Sequence, residues 1–227
     1  MPTLAQARDR RTSVDLVFDH LHKSIVTLEL LPGDKISEAD IAAQFGVSRQ
    51  PVRDAFSRLE NLNLLMIRPQ KATEVKRFSS HEITKSRFVR ASVESEVLRR
   101  AAKHATALDG ALLEASLAHQ ALVVEAGNYE EFGKLDYVFH ENLCKIAKVD
   151  FAFEVIAFEK AHVDRLCMLD LAKEDRMPQL LADHRAIAAA VGAGKAEEAV
   201  AAGMLHLSRL DATIESIQEN NPDYFDD

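Results

Sequence analysis

Apolar residues early in the chain recur at helical spacing. Val14, Val17, Phe18, Leu21, Ile25 and Leu28 lie three or four apart, as one buried helix face requires. Pro32 and Gly33 end that run. Ser37 then opens a second helix as its N-cap, with Asp40 in the first turn and Ile41, Ala42 and Phe45 on the inner side. Gly46 makes a tight corner, Ser48 caps a third helix, and Pro51 sits in its first turn, where a missing N–H costs least. That helix (48–62) buries Val52, Ala55, Phe56 and Leu59 and turns Arg49, Gln50, Arg53 and Asp54 outward. LLMI and TEV, within 64–78, read as short strands joined by RPQKA, which makes a wing.

After Phe78 no strand-like alternation remains. Helices are expected over 81–106, 109–126, 129–148, 151–172, 177–192 and 196–219. The breaks fall at Asp109-Gly110, Gly127-Asn128, Val149-Asp150, the stretch from Glu174 to Pro178, and Gly192-Ala193-Gly194. The expected fold is mainly α: an N-terminal winged helix-turn-helix with a small β wing (1–78), followed by an all-α six-helix antiparallel bundle (79–227).

The bulk numbers narrow the function. Of 227 residues, 47% are hydrophobic and 28% charged, which fits a chain able to bury two cores. The N-terminus lacks the apolar stretch of a signal peptide and no apolar run is long enough to span a membrane, so a cytoplasmic protein is expected. Cys144 and Cys167 have no CxxC spacing and suit buried thiols in a reducing compartment. The net charge of −8 argues against nucleic acid until the chain is divided. Residues 1–78 carry 12 Lys and Arg against 10 Asp and Glu, and the remainder 16 against 26. A mildly basic head on an acidic body confines any DNA contact to one end.

Two helices joined at a glycine corner form the helix-turn-helix arrangement, whose second helix enters the major groove by its N-terminal residues. Arg reads guanine and Gln reads adenine bidentately, so Arg49 and Gln50 are placed to read bases. With Ser48 and Arg53 on the same helix, and Arg68 and Lys71 at the wing tip near phosphate, they make up the candidate double-stranded DNA interface. The stretch LPGDKISEADIAAQFGVSRQPVRDAFSRLE (31–60) closely resembles the DNA-binding domain of the GntR superfamily of regulators. Ala39 stands where many members have an operator-contacting Arg, and Ala72 where a wing glycine is usual.

In the body, polar residues on apolar helices stand out. Asp136 and His140 are four apart and share a helix face. His184 and His206 lie on successive helices joined by a short glycine turn, at heights within about one helical turn of each other. Three imidazoles and a carboxylate converging in a bundle would hold Zn, Ni or Mn, although scattered exposed side chains explain the same residues equally well. The segments RASVESEVLRRAA (90–102), LDYVFHENL (135–143) and 182–210 resemble the FCD ligand-binding domain of the FadR branch. That resemblance implies that Asp136, His140, His184 and His206 bind a divalent metal, and that Arg90 faces the pocket. An octahedral ion with four protein ligands keeps positions that a small carboxylate effector can fill, with a bidentate Arg beside it. Arg165 is a second candidate for that arginine.

The expectation is therefore a non-enzymatic, ligand-responsive transcription regulator, a repressor, acting as a homodimer on a palindromic operator with no membrane partner. A metal-dependent hydrolase is the alternative from another class, but the chain has no HExxH, no nucleophile elbow and no general base beside the ligands. A regulator that senses the metal itself also remains open.

Overall fold

The computed structural model describes residues 12–68, 71–169 and 173–226. Pro69 and Gln70 of the expected wing loop, residues 170–172 of the expected fourth body helix, and the first eleven residues lie outside the described residues. No described helix is long and apolar enough to cross a membrane.

Residues up to Phe78, joined by Asp223–Asp226, form the first of two compact units. Its helices are α1 (Ser13–Val26), α2 (Glu38–Phe45) and α3 (Arg49–Asn61). Thr12 caps α1 in a reciprocal box with Asp15, and Ser37 caps α2 by accepting from Ala39 N–H. Gly46 closes α2 at φ 64°, the left-handed corner that turns the chain into α3. Ser48 holds the N-cap position of α3 but makes no side-chain cap hydrogen bond, so its hydroxyl stays exposed. The wing strands β2 (Leu65–Met66) and β3 (Thr73–Val75) pair antiparallel, Leu65 opposite Val75. The pattern did not reveal β1 (Lys35–Ile36), which pairs with the other edge of β3 and gives the order β1-β3-β2. Two residues are too few to show an alternation. Val17, Leu21, Ile25, Val52, Phe56, Leu59, Leu65 and Val75 close one core under the three helices and the sheet.

The second unit, Ser79–Pro222, is helical. It contains α4 (Ser80–His104), α5 (Ala107–Glu125), α6 (Tyr129–Ile146), α7 (Ala152–Cys167), α8 (Met177–Gly192), α9 (Ala196–Ser208) and α10 (Asp211–Asn220). Besides α7, which ends at Cys167 short of the expected 172, two boundaries differ from expectation. Asp109-Gly110 is not a break: Thr106 caps α5 and Asp109 is its box partner, so the glycine lies within the helix. The single helix expected over 196–219 is interrupted after Ser208. There Ser208 Oγ donates to Leu205 C=O, Arg209 N–H takes His206 C=O, and the Arg209 guanidinium grips Asp183 of α8 at 3.1 and 3.2 Å. The bundle core includes Leu98, Leu113, Leu117, Phe132, Phe139, Leu143, Ile156, Ile187 and Val191.

Candidate metal centre and DNA-reading face

In the body, three helices bring four residues to one point. Asp136 and His140 come from successive turns of α6, His184 from α8 and His206 from α9, and one ligand atom from each lies within 4.8 Å of all the others. All four are buried, His184 completely. Their ring centroids are 4.7 Å apart for His184 and His206, 5.5 Å for His140 and His206, and 5.8 Å for His140 and His184. Phe139 stacks on His184 at 4.3 Å and fixes its plane.

Each imidazole has an oxygen on one flank. His140 Nδ1 is 2.9 Å from Glu94 Oε2, His184 Nδ1 is 2.7 Å from Gln120 Oε1, and His206 Nδ1 lies 3.8 Å from Asp183 Oδ2. The closer partners, Glu94 and Gln120, are of the kind that fixes the tautomer and orientation of metal-binding histidines, whereas 3.8 Å is too long for a hydrogen bond to His206. On the inward side, His140 Nε2, His184 Nε2 and Asp136 Oδ2 are buried and make no well-formed hydrogen bond; His184 Nε2 faces Asp136 Oδ1 at 3.3 Å, and Lys160 Nζ meets Asp136 Oδ2 as an ion pair. Buried polar atoms rarely stay unsatisfied in a native fold. Three nitrogens with one carboxylate are a donor set suited to a divalent transition metal, which would take up the free lone pairs of the two imidazoles. The residues present fit the group.

Electrostatics agree with that reading. Burial alone would raise the Asp136 carboxyl, but Lys160, with His184 and His140, holds it well below the usual range. Burial would also raise Glu94, yet the Arg90 guanidinium and His140 keep it ionised. Burial pushes His184 down to about 4, against the opposing pull of Asp136. His184 is therefore a neutral, metal-ready imidazole near pH 7.

Beside the quartet lies a small cavity of about 60 Å³, partly open to solvent. Asp136 and His206 reach its wall, as do Arg90, Lys160, Arg176 and Tyr129. Arg90 is buried and paired with Glu94 at 2.9 Å. Lys160 Nζ stands 3.2 Å from Asp136 Oδ2 and bonds both oxygens of Asp164. Arg165 does not share this cavity. It is buried elsewhere on α7, where burial lowers its guanidinium to about 10.

Sequence reasoning missed Glu94, Gln120, Lys160 and Asp183. A signal existed for two of them: Gln120 follows Leu113 and Leu117 on the apolar stripe of α5, and Lys160 lies between Ile156 and Val163 on that of α7. A polar residue at a core position needs a partner there.

In the first unit, Ser48, Arg49, Gln50 and Arg53 are exposed at the start of α3. Gln50 bonds Asp54 at 2.9 Å and Arg53 bonds Glu38 at 2.8 Å. Arg68 and Lys71 are exposed at the two ends of the wing turn, and Arg68 pairs with Glu74 at 3.0 Å.

Comparison with known proteins supplies the family. Residues 14–75 match the bacterial regulatory proteins of the gntR family, and residues 87–209 match the FCD domain. The chain belongs to the GntR family of transcription regulators and carries an FCD domain. It is 32% identical to the HTH-type transcriptional repressor RspR of Escherichia coli over 92% of each chain. It is 28% identical over 95% of each to a probable D-xylose utilization operon transcriptional repressor of Paenarthrobacter nicotinovorans. A solved GntR regulator from a Rhodococcus species superposes with a TM-score of 0.69 at 23% identity, covering 89% of this chain and 97% of that one. These families are of DNA-binding regulators and not of enzymes, so the hydrolase alternative falls away.

Proposed function

We propose that this regulator is a homodimer that reads a palindromic operator and changes its affinity when a small carboxylate binds at a metal in the body. Asp136, His140, His184 and His206 hold a divalent ion, Zn, Ni or Mn, which supplies a Lewis-acid anchor for the effector. The observation that carries this reading is the convergence of three buried imidazoles and one carboxylate whose ligand atoms lie within 4.8 Å of one another, with His140 Nε2 and His184 Nε2 left without a hydrogen bond. Glu94 and Gln120 orient His140 and His184, while Arg90 and Lys160 put positive charge on the cavity wall where an anion would lie. Arg165 has no part in that wall.

In the head, Ser48, Arg49, Gln50 and Arg53 meet the major groove, with Arg68 and Lys71 at the flanking phosphates. A palindrome needs two such heads. Phe151 at the N-cap of α7, with Val155 and Phe158 on the helix, forms an exposed apolar stripe, and Phe88 is exposed on α4, which packs against α7; this is a face that a second copy would cover, which favours a dimer. Relatives named as repressors favour repression, with the effector releasing the operator.

The test loads the chain with each metal and screens small carboxylates for thermal stabilisation. Compounds that stabilise only the metal-loaded protein are then added to its complex with DNA selected from a randomised duplex pool. Stabilisation through the metal together with a change in DNA affinity is the expected result. DNA affinity unmoved by every ligand that occupies the cavity would sink the effector reading.

A further inference from the structure

Neither family description reaches residues 76–86 or 210–227. The end of the chain is nevertheless built into the DNA-binding unit. Phe225 forms a parallel bridge with Phe78: Phe78 N–H donates to Tyr224 C=O at 2.8 Å, and Asp226 N–H donates to Phe78 C=O at 2.9 Å. The Phe78 and Phe225 rings lie 5.6 Å apart, and Phe78 is buried. Next to it, Arg77 Nε donates to Asp223 C=O at 3.0 Å, and Arg77 Nη1 meets Asp226 at 3.7 Å and Glu74 Oε1 at 3.1 Å. Glu74 is buried in β3, and its second oxygen accepts from Arg68 Nη2 at 3.0 Å.

These contacts run in series from the tail to the wing: Asp223 and Asp226 to Arg77, Arg77 to Glu74, Glu74 to Arg68. Gly33 makes room for the middle link. Its φ is +91°, and a Cβ there would come within 2.7 Å of Arg77 Nη2. Any larger residue would displace the guanidinium as well as strain the turn.

We propose that the C-terminal tail, Asp223–Asp226, is a positioning element of the DNA-binding head, holding the wing and its Arg68 in place through Arg77 and Glu74. A buried carboxylate between two arginines is well placed only while both stay. Without the tail, Arg77 loses its carbonyl acceptor and the aromatic cover beside it, Glu74 is left to hydrate, and Arg68 swings free. The consequence for DNA rests on the reading of Arg68 as a phosphate contact, but the positioning itself does not.

The test compares the full chain with Phe225→Ala, Phe225→Leu and a chain ending at Pro222. Hydrogen exchange is followed over Leu64–Lys76 and over α1 and α3, and binding is measured on duplexes the wild type selects from a randomised pool. The tail's two backbone hydrogen bonds and ring contact make exchange in the wing about tenfold faster in the truncated chain, with α1 and α3 unchanged. Phe225→Leu restores most of the protection. The salt slope of DNA binding falls by about 1 in the truncated chain, and adding Arg68→Ala causes no further fall. Unchanged wing exchange overturns the proposal, and so does an equal acceleration across the whole head, which would make the tail a general brace. Faster wing exchange with unaltered DNA binding upholds the positioning and removes Arg68 from the DNA interface.

Discussion

Replacing Glu94 by alanine separates two jobs that the structure gives one carboxylate. Glu94 neutralises Arg90 at 2.9 Å and accepts from His140 Nδ1 at 2.9 Å, and both charged partners of the Arg90–Glu94 pair are about 5% exposed. Removing one member of a buried ion pair leaves the other charge unpaired in low dielectric, which costs about 3–5 kcal/mol. For a chain of this size, each kcal/mol moves the melting temperature by about 2–4 °C, so Glu94→Ala should melt roughly 6–20 °C lower in the metal-free state. Losing the oxygen that orients His140 should also weaken metal binding about 10- to 100-fold. The double variant Arg90→Met/Glu94→Leu tells the two effects apart. Removing both charges should restore most of the stability, since apolar replacements of a buried pair are often neutral, while metal affinity stays low. Scanning calorimetry of chelator-treated protein and competition with a metal-binding dye read the two quantities. A Glu94→Ala melting temperature within 2 °C of wild type, the shift of about 1 kcal/mol or less, would refute the ion-pair argument. Unchanged metal affinity would refute the orienting role.

Other consequences follow from the same geometry. His184 is held at about 4 against an ordinary value of 6.5, so below pH 6.5 the unfolded chain takes up a proton that the folded chain refuses. Metal-free stability should therefore be full above pH 6.5 and fall as pH drops toward 4; an acid slope in the melting temperature that is the same in His184→Phe would contradict this. Arg49 is exposed at the start of α3, and Arg49→Ala should cost about 1–3 kcal/mol on selected DNA with no change in melting temperature; equal loss on random DNA would make it a phosphate contact instead. Phe56 is 1% exposed in the core of the first unit, so Phe56→Ala should cost about 3–5 kcal/mol and lower the temperature at which that unit unfolds. A single unchanged calorimetric transition would oppose that.

The legible parts of the fold were those written in side-chain period. The apolar stripes of α1 to α9 and the glycine corner at Gly46 set the helices and the helix-turn-helix. β1 was hidden because Lys35–Ile36 is made a strand by its partner β3 and not by its own pattern. The kink after Ser208 was hidden for a related reason: Arg209 is fixed by Asp183, a residue 26 positions away. In the candidate site, the i,i+4 spacing of Asp136 and His140 and the short turn between α8 and α9 put the quartet within reach of arithmetic on helical rise. The flanking oxygens needed the bundle to be assembled, since Glu94, Gln120 and Asp183 come from three different helices. Arg165 illustrates the limit of such reading. A buried arginine on the right helix need not line the cavity, and spacing alone does not decide that.

The most direct test of the central claim is elemental analysis of the purified full chain, wild type beside His184→Ala. The account predicts about one divalent ion per wild-type chain and none retained by the variant, since His184 is the fully buried ligand and its loss opens the quartet. No ion in either protein after supplementation with Zn, Ni and Mn would contradict it, and would reduce Asp136, His140, His184 and His206 to a buried polar cluster.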